Sequence, residues 1–378
     1  MANDVYQRLA QYLDDLPAGF PPTESGVELR ILQRLFTPED AALVLHLTLI
    51  PEEPRVIARR AKIPVEEAER RLEVMDQKGV ISGIHRPGQP PRYQVMQFLV
   101  GFWEGQVNRL DRELAEDFEA YLPTFVEHTP WQEAPQLRTI PVEKSIPVQW
   151  DVMPYEQAEA LLGNHNTFAV NNCICRQEHQ LLDDGCDKPM ETCLTMGGAA
   201  KHGIQAWGAR PISREEALVL LEQAEEAGLV LQPANNQRPN FICMCCGCCC
   251  AVLRGIKMFP KPASVVSSHY VASLDVDLCD GCGMCETRCQ MEAVYLTNGT
   301  AELDLERCIG CGLCVTTCPN EALTLHRKPE AELPTVPKNV VESYIKLGQA
   351  RGRYGMGELL GIAARSKVDR VLARIGQR

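Results

Sequence analysis

Residues 277–296 read DLCDGCGMCETRCQMEAVYL, and residues 306–325 read ERCIGCGLCVTTCPNEALTL. The second stretch repeats the first. Cys279, Cys282, Cys285 and Cys289 map onto Cys308, Cys311, Cys314 and Cys318 at a constant offset of 29, and Glu292-Ala293 maps onto Glu321-Ala322. Each half has the spacing C-x2-C-x2-C-x3-C. Three thiols two residues apart on a tight loop can wrap one face of a metal centre, while the fourth is carried away on the following turn. Gly281, Gly283, Gly310 and Gly312 let that loop bend and bring backbone N–H groups near sulfur.

The duplicated run resembles the two-cluster bacterial-type 4Fe-4S ferredoxin domain across residues 277–325. In that arrangement the fourth Cys of each half serves the other half's cluster. The resemblance therefore implies cluster I on Cys279, Cys282, Cys285 and Cys318, and cluster II on Cys308, Cys311, Cys314 and Cys289. One departure stands out: Pro319 follows Cys318 as the pattern expects, but Gln290 follows Cys289. The alternative is a pair of zinc sites, since C-x2-C pairs also serve zinc ribbons. Those ribbons carry their two Cys pairs well apart, whereas here each half packs four Cys together.

Working outward, all 18 Cys of the 378 residues lie between Cys173 and Cys318. A secreted disulfide protein spreads its Cys along a short chain, and packed runs cannot all find partners of good disulfide geometry. Clustered thiolates point instead to metal in a reducing, cytoplasmic setting. The net charge of −12 argues against a protein that coats nucleic acid. No apolar run is long enough for a membrane-spanning helix, and the opening MANDVYQRLAQYLDDL lacks the features of a secretory signal.

Ten further Cys lie upstream of the repeat, in NNCICRQEH (171–179), at Cys186 and Cys193, and in FICMCCGCCC (241–250). A helix lies between the two ends. Ser213 with Glu216 forms a capping box, Ala217, Leu218, Leu221 and Ala224 share a face, and Gly228 stops it. A packed αβ unit is thus expected to bring the thiol-rich loops together. Adjacent side chains diverge on an extended chain, so neighbouring Cys of the second run should not all face one iron. The expected third centre, iron–sulfur or zinc, uses Cys173, Cys175, Cys243 and Cys246. His179 and His202 are further candidate ligands against an ordinary core or surface role. Arg176 is a candidate donor to a cluster sulfur, or else part of a surface ion pair. Cys245-Cys246-Gly247 resembles one of the paired Cys-Cys-Gly elements of heterodisulfide-reductase-type subunits, though the second element is missing.

In the N-terminal third, TPEDAALVLHL (37–47) begins a helix with Thr37 as N-cap and Pro38 at the first position. A short helix over 56–61, a third helix in VEEAERRLEVMDQKG (65–79), and two strands in VISGIHRPGQPPRYQVM (80–96) follow, and this order resembles a winged helix. The third helix carries Glu66, Glu67, Glu69, Glu73 and Asp76 against Arg70, Arg71 and Lys78, the wrong sign for a phosphate-lined groove despite Arg86 and Arg92 in the wing. A protein-docking role is favoured over DNA. A helix over 101–121 and an extended linker with Pro123, Pro130, Pro135, Pro141 and Pro147 come next. From His326 onward eleven Lys or Arg face five Asp or Glu, and residues 357–378 read as a basic helix. That helix packs on its own domain, or docks on an acidic partner or a membrane surface.

The expected fold class is α+β and multidomain: a winged-helix-like domain (1–122), a Pro-rich linker (123–150), a Cys-rich α/β middle domain (151–270), a ferredoxin-like dicluster domain (271–327) and a basic helical tail (328–378). There is no Walker loop, no dinucleotide-binding glycine loop and no haem-attachment motif. The expected function is relay of single electrons through two 4Fe-4S clusters and a third Cys-ligated centre, in an anaerobic or facultative metabolism, to a redox enzyme or flavoprotein partner. The alternatives are a redox-responsive DNA-binding regulator and a catalytic iron–sulfur oxidoreductase subunit with its centre in 173–250.

Overall fold

The computed structural model describes residues 2–146 and 153–375. Pro147 of the linker and the last three residues of the tail lie outside them. The chain forms two compact units, one of residues 1–130, 202–208 and 344–378, the other of residues 131–201 and 209–343.

The first unit is mainly helical. Thr37 caps the helix Pro38–Val44 by accepting the Asp40 N–H. Helices Pro54–Ala61 and Val65–Gln77 follow, and then β1 (Ile81–Ile84) pairs antiparallel with β2 (Arg92–Val95). The buried Asp76 joins the last of these helices to the hairpin by accepting the Gly83 N–H at 2.6 Å and contacting His85 at 2.9 Å. The helix expected over 101–121 is instead Arg112–His128. Asp111 sets its start by accepting the Leu114 N–H, and Pro123 sits inside it. Residues 98–106 form irregular turns whose rings build the core. Phe20, Phe98, Phe102, Tyr121 and Phe125 pack edge to face or tilted, and Trp103 stacks on Phe118 at 4.0 Å.

The basic C-terminal helix, Met356–Ile375, belongs to this unit. Asp369 binds Arg59 at 2.9 Å and Arg60 at 2.6 Å, and Ser366 donates to the buried Glu52 at 2.6 Å. Glu52 also holds Arg60 through both carboxylate oxygens. No helix among the described residues is long and apolar enough to cross a membrane.

The second unit mixes sheet and helix. Its largest sheet takes β3 (Phe168–Asn172), β4 (Glu191–Met196), β5 (Arg210–Ile212), β6 (Val230–Pro233) and β7 (Phe241–Cys245) in the order β5-β3-β4-β7-β6. Every pairing is antiparallel. The middle region is therefore α+β, not the α/β arrangement expected, because β6 and β7 join as a hairpin and no strand returns parallel to its neighbour. Helix Arg214–Glu226 starts at Ser213, whose hydroxyl accepts the Glu216 N–H. The duplicated segment adds two small antiparallel sheets, β8 (Tyr270–Leu274) with β11 (Leu323–Arg327), and β9 (Val294–Thr297) with β10 (Thr300–Leu303). The whole chain is thus a mixed α+β protein.

Candidate metal centres

The two halves of the repeat present their thiols in two cavities. One is lined by Cys279, Cys282, Cys285 and Cys318. The other is lined by Cys308, Cys311, Cys314 and Cys289. Each cavity thus takes three Cys from one half and the fourth from the other. The pairing of β8 with β11 and of β9 with β10 folds the halves back on each other and makes the exchange.

Backbone donors repeat with the same symmetry. The Ala301 N–H points to Cys279 Sγ at 3.4 Å and the Ala322 N–H to Cys318 Sγ at 3.3 Å. In the other cavity Ala272 N–H meets Cys308 Sγ at 3.5 Å and Ala293 N–H meets Cys289 Sγ at 3.2 Å. Such donors stabilise negative sulfur and raise the reduction potential of a cluster it binds.

The two cavities differ in depth. Cys308 and Cys314 are buried, whereas Cys282 is exposed. Burial pushes the Cys311 thiol up to about 12 and Cys314 well above its ordinary value, helped by neighbouring thiols. Apolar surroundings with four thiols, which Lys328 offsets only beside Cys308, fit a group that supplies positive charge itself. The donor set, all sulfur at ferredoxin spacing, suits an iron–sulfur cluster.

The ten upstream thiols divide into two groups. Cys173, Cys175, Cys193, Cys243, Cys245 and Cys250 form a hydrogen-bonded chain. Cys243 and Cys245 share a strand face two residues apart, and Cys193 pairs with Cys243 across the ladder. Cys173 and Cys250 each stand at a helix N-cap. The Cys250 thiol is lowered well below its ordinary value, first by Cys175 and Cys245 and then by the Leu253 and Val252 N–H groups. Cys243 is pushed down to about 5, first by Cys193 and then by Cys245.

The second group is Cys186, Cys246, Cys248 and Cys249, whose sulfurs all lie within 4.8 Å of one another. Cys246 is pushed down to about 4, chiefly by Cys249, with burial opposing and Arg176 assisting. The quartet expected from sequence is thus divided: Cys173, Cys175 and Cys243 are in one group and Cys246 is in the other. Cys246 follows Cys245 at the end of β7, and because adjacent side chains diverge it leaves the face that Cys243 and Cys245 share. Cys186 carried no spacing signal, and Cys245 and Cys250 were hidden among equivalent neighbours. The period of two along β7 would have tied Cys245 to Cys243.

Arg176 is fully buried. It donates to the Met244 and Pro189 carbonyls at 2.9 Å each and to the Thr192 hydroxyl, and hydrogen-bonds Cys246. Burial presses its pKa down, but Cys173, Cys246 and Cys245 together carry it above the ordinary arginine value. It is a buried cation that interacts with thiols of both groups. The candidate histidines do other work. His179 contacts Asp184 at 2.8 Å and Arg254 at 2.7 Å. His202 belongs to the first unit, beside Asp76 at 3.7 Å.

A family model described as Fer4, 4Fe-4S binding domain, matches residues 301–324. The chain therefore carries an iron–sulfur, ferredoxin-type domain there, which together with the Cys groups points to iron–sulfur electron transfer. No curated protein matches the chain. No solved structure matches it either.

Proposed function

We propose that this chain is an electron-transfer protein with two ferredoxin-type 4Fe-4S clusters, one held by Cys279, Cys282, Cys285 and Cys318, the other by Cys308, Cys311, Cys314 and Cys289. The observation that carries this reading is the exchange of the fourth thiol between the two cavities. When bound, such a cluster supplies a one-electron redox centre whose potential the surrounding protein tunes. The protein's own part is to hold the thiolates, direct the four Ala N–H groups at sulfur, and leave one site within reach of a partner. A third iron–sulfur centre is assigned to the group around Cys250, which retains Cys173, Cys175 and Cys243 of the expected set.

The exposed Cys282 marks the docking face. Val276, Leu278 and Met284 are exposed apolar side chains of that segment, and Asp275, Asp277, Asp280 and Glu286 are exposed acids. An apolar centre with an acidic rim suits a basic face on a redox enzyme or flavoprotein. The helix Val65–Gln77 supports protein docking over DNA reading in the first unit. Its exposed charges are Glu66, Glu69 and Arg70, while Glu73 is bonded to Tyr93 and Asp76 is buried. The setting is a reducing cytoplasm.

Iron analysis and paramagnetic resonance of anaerobically purified protein test the proposal. About eight iron per chain corresponds to two clusters, and about twelve to three, with a signal on dithionite reduction. An iron-free chain, silent after reduction, overturns it.

A further inference from the structure

We propose that Cys186, Cys246, Cys248 and Cys249 form a mononuclear, tetrahedral zinc site, distinct from the ferredoxin-type clusters and from the thiol group around Cys250. The separations of the sulfurs carry the argument. Cys186 and Cys246 are 3.9 Å apart, Cys186 and Cys249 3.6 Å, and Cys248 and Cys249 3.7 Å. Four sulfurs placed tetrahedrally at a zinc–sulfur distance of about 2.3 Å have edges of about 3.8 Å. In a cubane each thiolate sits on a different iron at a different corner, so its four sulfurs stand farther apart than ligands sharing one metal. Among the described residues, this is the group of metal-ligating side chains that closes to within 4.8 Å on all sides, and none of the eight repeat Cys belongs to it.

The loop is built to hold this shape. Cys250 N–H bonds the Cys246 carbonyl at 3.2 Å, Lys257 donates to the Gly247 carbonyl at 3.2 Å, and Gly247 N–H donates to Gln290 Oε1 at 2.8 Å. Cys246 and Cys249 are buried while Cys248 reaches solvent, so the metal has an entry path. A divalent ion with four thiolates carries a net charge of −2, and the buried Arg176 offsets part of it. Zinc binds such a site more tightly than ferrous iron. No electron moves on binding: the remaining thiol protons pass to solvent and four sulfur–zinc bonds form. The ion would tie the segment around Cys186 to a loop about 60 residues later, and through Gln290 to the turn that carries Cys289.

The test is zinc content and zinc-edge X-ray absorption on the full chain, purified anaerobically, beside the Cys186→Ser/Cys248→Ser double variant. The expected result is about one zinc per chain, four sulfur neighbours at about 2.3 Å and no heavier neighbour. In the variant zinc falls at least tenfold, while iron and the reduced-state resonance signal are unchanged. Less than a tenth of a zinc in the parent protein overturns the proposal, and so does nitrogen or oxygen in its coordination shell. A variant that loses iron and keeps zinc also overturns it. Because zinc and iron are counted separately, failure here is distinguishable from failure of the electron-transfer reading.

Discussion

At Gly310 the backbone has φ of +68°, and a Cβ there would lie 2.0 Å from the Tyr270 carbonyl oxygen. Gly281, its counterpart in the first half, has φ of +73° and would meet the Gly299 carbonyl oxygen at 1.9 Å. Both thiol loops therefore press against a neighbouring backbone as well as turning left-handed. Gly26 has φ of +66° with nothing near its missing Cβ. Gly26→Ala should show only the left-handed cost of about 1–2 kcal/mol and keep all iron. Gly310→Ala should displace the loop between Cys308 and Cys311 and lose about four iron per chain, the content of one cluster. Iron per chain after anaerobic purification checks this, and full retention in Gly310→Ala would show that the close approach is unimportant. Gln290 shows a different use of one residue. Where Pro319 only stiffens the equivalent turn, Gln290 keeps an amide that accepts the Gly247 N–H. The departure from the repeat is thus where the duplicated segment fastens to the Cys246 loop.

At the scale of elements, the basic C-terminal helix is held by charge. Glu52 is 1% exposed and bonds Arg60 at 2.6 and 2.7 Å as well as Ser366. Breaking a buried pair by removing one partner costs about 3–5 kcal/mol. Glu52→Gln should therefore let the helix Met356–Ile375 open, and tryptic cleavage at Arg365 and Arg370 of the native chain should quicken at least tenfold. Unchanged cleavage would mean that this network does not anchor the helix. The same scale shows what a sequence can disclose. The Thr37 and Ser213 caps and the alternation of the hairpin at 81–95 are local signals, and those elements form where they were expected. The eight-Cys repeat is legible because its spacing resembles that of two-cluster ferredoxins, and that resemblance implies the grouping in which the cavities present the thiols. The helix after residue 101 was misplaced because Pro123 reads as a breaker, whereas the helix starts at the Asp111 cap and runs through Pro123 to His128. The division of the upstream thiols was hidden for a similar reason. In CMCCGCCC, identical residues differ only in the backbone angles beneath them, and those depend on where β7 ends.

At the scale of the whole molecule, every Cys lies in the second unit, and the first holds its own aromatic core. The consequence for stability is unequal. In the second unit a metal would join thiols far apart in the chain, such as Cys289 and Cys314, so its binding free energy counts toward folding there. The first unit depends instead on Phe98, Trp103, Phe118, Tyr121 and Phe125, all within 1% of full burial, and it carries no Cys. Stripping metal from the full chain, by oxidation and then a chelator, should loosen the second unit and spare the first. Hydrogen exchange read by mass spectrometry checks this on the intact protein. Peptides from residues 168–196 and 270–327 should lose protection by several orders of magnitude, while those from 112–128 keep theirs. The segment 202–208 gives a sharper version, since it belongs to the first unit although both flanks belong to the second. It should stay protected when its flanks exchange. Uniform loss of protection, with 112–128 exchanging as fast as 270–327, would mean that the two units unfold as one and that metal supports the whole chain.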